Sequence, residues 1–166
     1  MKEDLSRYDL SSIKHASTAG EALNPEVFRQ IESQTGIRIM EGFGQSESTV
    51  MIGNLTGDQH KFGSMGKPIA VYPVDIVDED GVNNINRIYG NRTQPGEICG
   101  LFTGYYREPE QTDKVWHDGL YHTGDTAWRD EDGYYWYVGR LDDVIKSSGY
   151  RIGPFEIESV IMELPY

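Results

Sequence analysis

YVGRLDDVIKSSGYRIGPFEIE, residues 137–158, is the stretch on which the reading of this chain turns. Tyr135, Tyr137 and the β-branched Val138 suit a pleated surface and predict a strand. Gly139 and Arg140 break that run, and Leu141, Asp142 and Asp143 make a short polar joint. Val144 and Ile145 resume the apolar character before Lys146, Ser147, Ser148 and Gly149. Tyr150, Arg151 and Ile152 are extended again, and Gly153-Pro154 turns the chain. From Pro154 the pattern is helical. Pro suits a first helical position, Glu156 and Glu158 sit near the positive end of the dipole, and Ile157, Val160, Ile161 and Leu164 recur at helical spacing.

Three cations, Arg140, Lys146 and Arg151, stand among glycines here, in a chain of net charge -12. Glycine lets backbone approach a ligand closely, and Arg matches phosphate oxygens in bidentate fashion. Spacing alone leaves two readings open: a surface hairpin with solvated charges, or a phosphate-facing one.

The acidic balance argues against nucleic acid or an anionic membrane as partner, since both need a basic footprint. An anionic nucleotide needs only local cations. The single cysteine, Cys99, leaves no internal disulfide, residues 1–12 hold no apolar signal core, and no run approaches a membrane span. On these grounds the chain reads as cytoplasmic. Its 166 residues suffice for one domain.

Upstream, residues 13–18 predict a strand leading into the loop Ala19-Gly20-Glu21-Ala22-Leu23. Asn24 is a good N-cap with Pro25 at the first helical position. Val27, Phe28 and Ile31 give the helix an apolar face, and Gly36 ends it. Residues 37–40 form a short apolar strand that delivers Gly42-Phe43-Gly44-Gln45-Ser46-Glu47, and a strand end feeding a glycine-containing loop is a common site in α/β architecture. From Gly66 the pattern changes to short strands: 71–77, 96–99, 121–123 and 134–138. Turns are expected at 78–81 and at Asp132-Gly133, and a single helical turn at 109–112. Strands at this spacing imply a small barrel or sandwich.

Three ordered motifs carry a family resemblance. GRLDDVIKSSGYRIGPFEIE (139–158) resembles the hinge and lid signature of the adenylate-forming enzymes. GFGQSES (42–48) resembles their tyrosine-glycine-x-threonine-glutamate motif, and YHTGD (121–125) their threonine-glycine-aspartate motif. AGEALNP (19–25) is similar to an adenine-side loop. Residues 147–159 are most similar to the medium-chain acyl-CoA synthetases.

The resemblance implies an α+β fold. Residues 1–66 would end an α/β subdomain and 67–139 would form a small distorted β-barrel. Residues 140–166 would be the hinge with the first β-hairpin and helix of a lid domain. It also implies a longer enzyme, with a phosphate loop before residue 1 and an adenylation lysine after residue 166. The 166 residues alone are then expected to lack ligase activity. The family has further residues between the positions matched by Cys99 and Gly100, which are adjacent here.

The implied reaction joins a carboxylic acid to CoA through an acyl-AMP, with ATP and Mg²⁺. Gly20, Glu21 and Ala22 would line adenine together with Gly42, Phe43, Gly44 and Gln45. Ser46 would donate to phosphate, and Glu47 would ligate Mg²⁺. Phe43 stands where the family has tyrosine, so stacking is kept and a phenol bond is lost. Asp125 would accept both ribose hydroxyls. Arg140 would reach ribose and phosphate, Arg151 would contact phosphate, Lys146 would serve the thioester-forming pose, and Gly149 would lie along pantetheine. Asp142 would be the hinge, and Asp143 stays solvated. Gly44 stands where acetate-specific relatives carry tryptophan, which implies an open pocket and a medium-chain or branched acid; the alternative is that Gly44 only serves the loop's backbone geometry. An aryl-CoA ligase or amino-acid adenylation domain is the alternative, and a non-catalytic nucleotide-binding module is a third class. His15, His60, His117 and His122 show no metal-ligand spacing, and Trp116, Trp128 and Trp136 read as packing.

Overall fold

A computed structural model of the chain describes residues 4–76, 88–90, 96–143, 145–147, 150–162 and 164. After a 3-10 turn at Leu5–Arg7 come β1 (Ala16–Thr18), α1 (Pro25–Thr35), β2 (Ile39–Gly44), β3 (Val50–Gly53) and β4 (Lys67–Pro68). β1 pairs parallel with β2 across the α1 crossover, and β3 and β4 add antiparallel, in the order β1-β2-β3-β4. α1 forms where its caps predict. The Asn24 side chain accepts from Glu26 N at 2.9 Å, Pro25 opens the helix, and Gly36 takes the left-handed conformation at φ 70°. Phe28 is the buried residue of α1, stacked on His60 with Phe62 edge-on.

The second part holds β5 (Asp75–Ile76), β6 (Ile88–Gly90), α2 (Pro109–Val115), β7 (Trp116–His117) and β8 (Leu120–His122), with the antiparallel sheet order β5-β6-β8-β7. The hairpin β9 (Asp125–Arg129) to β10 (Tyr135–Arg140) follows. Gly66 bridges to Tyr135, so this hairpin is tied to the first sheet. Then come the hairpin β11 (Ile145–Ser147) to β12 (Tyr150–Ile152) and the helix α3 (Pro154–Met162).

The mixed α+β architecture agrees with the expectation. Its second part is built of small separate sheets that do not close into a barrel among the described residues. One core runs through both parts, from Met51, Ile52 and Met65 to Tyr72, Val74, Ile76, Leu101, Tyr121, Ala127 and Tyr135. Met51 and Ile52 are fully buried, each worth about 1.5–3 kcal/mol.

Several boundaries differ from the sequence expectation, each for a local reason. Residues 96–99 form a turn, because Gly96 and Gly100 are both left-handed (φ 94° and 85°) and Leu101 N donates back to Ile98 O. Residues 71–76 do alternate, with Tyr72, Val74 and Ile76 buried, yet only 75–76 joins a ladder. Pro73 has no N–H to offer one. Val77 and the 78–81 turn lie outside the described residues. The 109–112 turn extends to a seven-residue helix. Gly139 and Arg140 stay in β10, and the irregularity falls instead between Tyr137 and Gly139. The Asp132-Gly133 turn closes β9 and β10, with Gly133 at φ 83° and Asp130 N donating to Tyr134 O.

Candidate active site

A cavity of about 1150 Å³ opens between the β1–β2 edge, the β9–β10 hairpin and the start of α3. The expected adenine loop, Gly20, Glu21 and Ala22, lines one side. Gly42, Phe43, Gly44, Gln45 and Ser46 form the floor, and Asp125 and Arg140 face them. Thus the motifs that the sequence singles out separately meet at one space.

The floor is strand rather than free loop. β2 runs through Gly44, pairing Gly42 with Gly53 and Phe43 with Ile52, and a bulge follows at Gly44. A side chain at Gly44 has no room here, because its Cβ would lie 2.4 Å from Thr49 O. Gly44 therefore serves the backbone geometry of the bulge. Beyond it a tight turn forms, with Ser48 N donating to Gln45 O and Gln45 N donating to Ser48 Oγ.

Gln45 is the hub of the site. Its Nε2 donates to Asp125 Oδ2 at 2.6 Å and to Thr123 O at 2.9 Å, while its Oε1 accepts from the Tyr121 hydroxyl at 2.6 Å. Asp125 is almost fully buried. Burial pushes its carboxyl up to about 6, against the opposing pull of Arg140 and of bonds from Thr123, Tyr137 and Gln45. Arg140 Nη1 donates to Thr123 O at 3.1 Å and lies 3.6 Å from Asp125 Oδ1. Gly124, left-handed at φ 73°, lets this guanidinium lie against the backbone, since its Cβ would sit 3.2 Å from Arg140 Nη2.

Glu47 is half-buried beside the turn, and its Oε1 accepts the Tyr105 hydroxyl at 2.6 Å. Burial and then this bond push Tyr105 up to about 12, so the phenol stays a donor and orients the carboxylate. Ser46 is exposed on the cavity wall. Glu47 is not among the residues that line the cavity; a carboxylate and a hydroxyl are oxygen ligands of the kind a hard cation such as Mg²⁺ accepts.

Glu41, which sequence reasoning missed, is buried at the cavity edge. Its Oε1 accepts Leu23 N at 3.0 Å and so ties the 19–23 loop to β2. Burial pushes it up to about 7, with the Leu23 bond opposing. Tyr137 was also missed as a site residue. It lines the cavity, tilted toward Phe43 at 6.3 Å between ring centroids. An acid starting a Gly-rich strand end and a tyrosine on an alternating strand were the available signals.

The residues expected to form the hinge and lid follow β10. Asp142 sits in the turn after β10, mostly exposed, with Oδ1 3.4 Å from Arg140 Nε. Asp143 is exposed and also lines the cavity. Lys146 and Arg151 face each other in register across the β11–β12 hairpin, and their side chains lie outside the described residues. Gly149 lies outside the described residues as well. α3 brings Pro154, Phe155 and Glu158 to the cavity, and Gly153 packs so closely on Val138 that a Cβ would fall 1.8 Å from its carbonyl oxygen.

The fold is that of a piece of an adenylate-forming enzyme. The chain matches the crystal structure of the anthranilate CoA ligase AuaEII in complex with anthranoyl-AMP at a TM-score of 0.85 and 32% identity, over 98% of this chain and 31% of that one. Residues 1–106 match the AMP-binding enzyme family, and the chain belongs to that family. It is 45% identical over 168 residues to the mitochondrial acyl-coenzyme A synthetase ACSM3 of Mus musculus, and equally to ACSM5 of Homo sapiens. It spans 29% of the length of each of these relatives. Both are mitochondrial by name, which overturns the expectation of a cytoplasmic location. A lone cysteine and the lack of an apolar run do not distinguish cytosol from mitochondrion. No helix among the described residues is long and apolar enough to cross a membrane.

Proposed function

We propose that this chain is the nucleotide-binding part of an AMP-forming acyl-CoA synthetase. The observation that carries the reading is the meeting of Gln45, Asp125 and Arg140 across one cavity from the Gly20–Ala22 loop. In the proposed reaction a carboxylate attacks the α-phosphate of ATP, forming acyl-AMP and releasing pyrophosphate. The thiol of CoA then displaces AMP. The chain's own groups mainly position and stabilise charge. Asp125 accepts the ribose hydroxyls, Arg140 reaches ribose and phosphate, and the backbone at 20–22 with Phe43 receives adenine. Glu47 with Ser46 would hold Mg²⁺, which supplies charge neutralisation at the phosphates.

Asp142 is proposed as the hinge, with residues 140–166 as the start of a lid. Lys146, Gly149 and Arg151 are proposed to act from that lid on the CoA and phosphate sides. The proposed acid is longer than propionate, medium-chain or branched. The likeness to an anthranilate CoA ligase supports an aryl acid as the second reading.

The test is binding of AMP and of a non-hydrolysable acyl-AMP analogue to the purified chain, by calorimetry. Saturable binding is expected, weakened at least tenfold in Asp125→Ala. A chain that binds neither ligand, or an alanine variant that binds as well as the parent, would overturn the reading.

A further inference from the structure

We propose that the β7–β8 hairpin carries a surface site for a divalent transition-metal ion, with Zn²⁺ as the matching ion and His117, Asp118 and His122 as its ligands. One nitrogen from each imidazole and one carboxylate oxygen lie within 4.8 Å of one another. Imidazole suits zinc, and a carboxylate completes three protein ligands with a position left for water.

The hairpin holds these groups together for reasons that start in its sequence, HDGLYH. Asp118 and Gly119 both have positive φ, 55° and 69°. Two such residues make the tight turn that matches strand twist, and Asp-Gly is a favoured pair for it. The turn sets the register, pairing Trp116 with Tyr121 and His117 with Leu120. Trp116 and Tyr121 then pack inward against Phe102, and alternation puts His117 and His122 on the opposite face as diagonal neighbours. Their rings stack with centroids 3.5 Å apart.

The three groups are already coupled. His117 Nδ1 lies 2.8 Å from Asp118 Oδ2, and His122 Nε2 lies 3.3 Å from His117 O. A tetrahedral ion with bonds of about 2.0–2.1 Å brings its ligands to about 3.3 Å from one another. Closing the present spread calls for side-chain rotation, for which His117 (44% exposed) and Asp118 (83%) have room. Trp116 and Tyr121 face Phe102 on the other side of this hairpin, so the imidazole pair lies outside that aromatic cluster. The site stands apart from the nucleotide cavity, whose lining includes none of the three residues.

The experiment is titration of Zn²⁺ into the metal-stripped chain at neutral pH, followed by calorimetry and by imidazole NMR signals. One saturable equivalent is expected, with the His117 and His122 resonances shifted. His117→Gln and His122→Gln should each weaken it at least tenfold, with unchanged circular dichroism in the metal-free state. Binding should fall in mildly acidic buffer, because protons compete for the imidazole nitrogens. Mg²⁺, which prefers an all-oxygen set, should not displace Zn²⁺ even in about a thousandfold excess. No saturable binding overturns the proposal. So does one equivalent bound equally by both Gln variants, which would place the ion elsewhere, for example at the exposed Cys99.

Discussion

Gln45 Nε2 lies 2.6 Å from Asp125 Oδ2, a contact between residues 80 positions apart. It joins the end of β2 to the start of β9, and the Tyr121 hydroxyl closes the other side of the same amide. One side chain thus sets both the floor and the wall of the cavity. Gln45→Ala should leave the buried Asp125 carboxyl short of a donor and the Tyr121 hydroxyl short of an acceptor. We expect a stability loss of about 1–3 kcal/mol in denaturant unfolding and weaker AMP binding. An alanine variant with unchanged AMP affinity would show that Gln45 does not organise the site.

Stability should fall as pH rises from about 4 to about 8. Asp125 and Glu41 are pushed up to about 6 and about 7, chiefly by burial, from ordinary values of 3.8 and 4.5. A carboxyl whose folded value is raised favours the folded state while protonated. That advantage is complete below its unfolded value and is lost as pH passes the folded one. The two shifts correspond to at most about 3 kcal/mol each. Glu41→Gln should flatten the dependence, mostly between about pH 5 and 7, in thermal melts. A Gln variant with the same slope as the parent would discard the assignment.

Gly153 should be intolerant of any side chain. A Cβ there would lie 1.8 Å from Val138 O and 2.8 Å from its carbonyl carbon, both backbone atoms that cannot swing away. Gly153→Ala should lift the start of α3 off β10. Hydrogen exchange should speed up at 152–158 and at Val138, while Met51 and Ile52 in the core keep their protection. Uniform loss of protection would mean instead that the whole chain unfolds as one unit.

The parts of the fold that were legible in the sequence are those set by local chemistry. Asn24, Pro25 and Gly36 bound α1 because capping depends on neighbours in the chain. Asp132-Gly133 closes its hairpin for the same reason. The illegible parts depend on distant partners. Residues 96–99 have a strand's composition, yet Thr49 N donates to Gly100 O and Phe102 N to Glu47 O, so the segment is seated on the Gln45 turn. Glu41 carries no local signal, because its partners are the distant Leu23 loop and Asn54. His117 and His122 lack a helical ligand spacing, and only the turn geometry puts their rings together.

Gly44 separates two explanations of the proposed acid selectivity. One is that a missing side chain leaves room for a longer acyl chain, each methylene adding about 0.8 kcal/mol. The other is that glycine permits the bulge where β2 and β3 slip register between Phe43 and Gly44. The geometry favours the second, because a Cβ would meet Thr49 O at 2.4 Å, Thr49 C at 3.0 Å and Val50 Cα at 3.2 Å. Even alanine forces the β2–β3 edge apart, at a cost of about 1–3 kcal/mol. Tryptophan therefore disturbs the turn before it fills any pocket. The deciding measurement uses the full-length enzyme carrying Gly44→Ala, with kcat/KM followed over a series from acetate to decanoate. If the bulge is what matters, activity falls by a similar factor at every length, because Gln45 and Ser46 are displaced for all substrates alike. Selectivity then resides in other lining side chains, such as Val50 and Tyr137. A variant that loses the long acids while keeping acetate would restore Gly44 as the residue that sets the depth of the pocket.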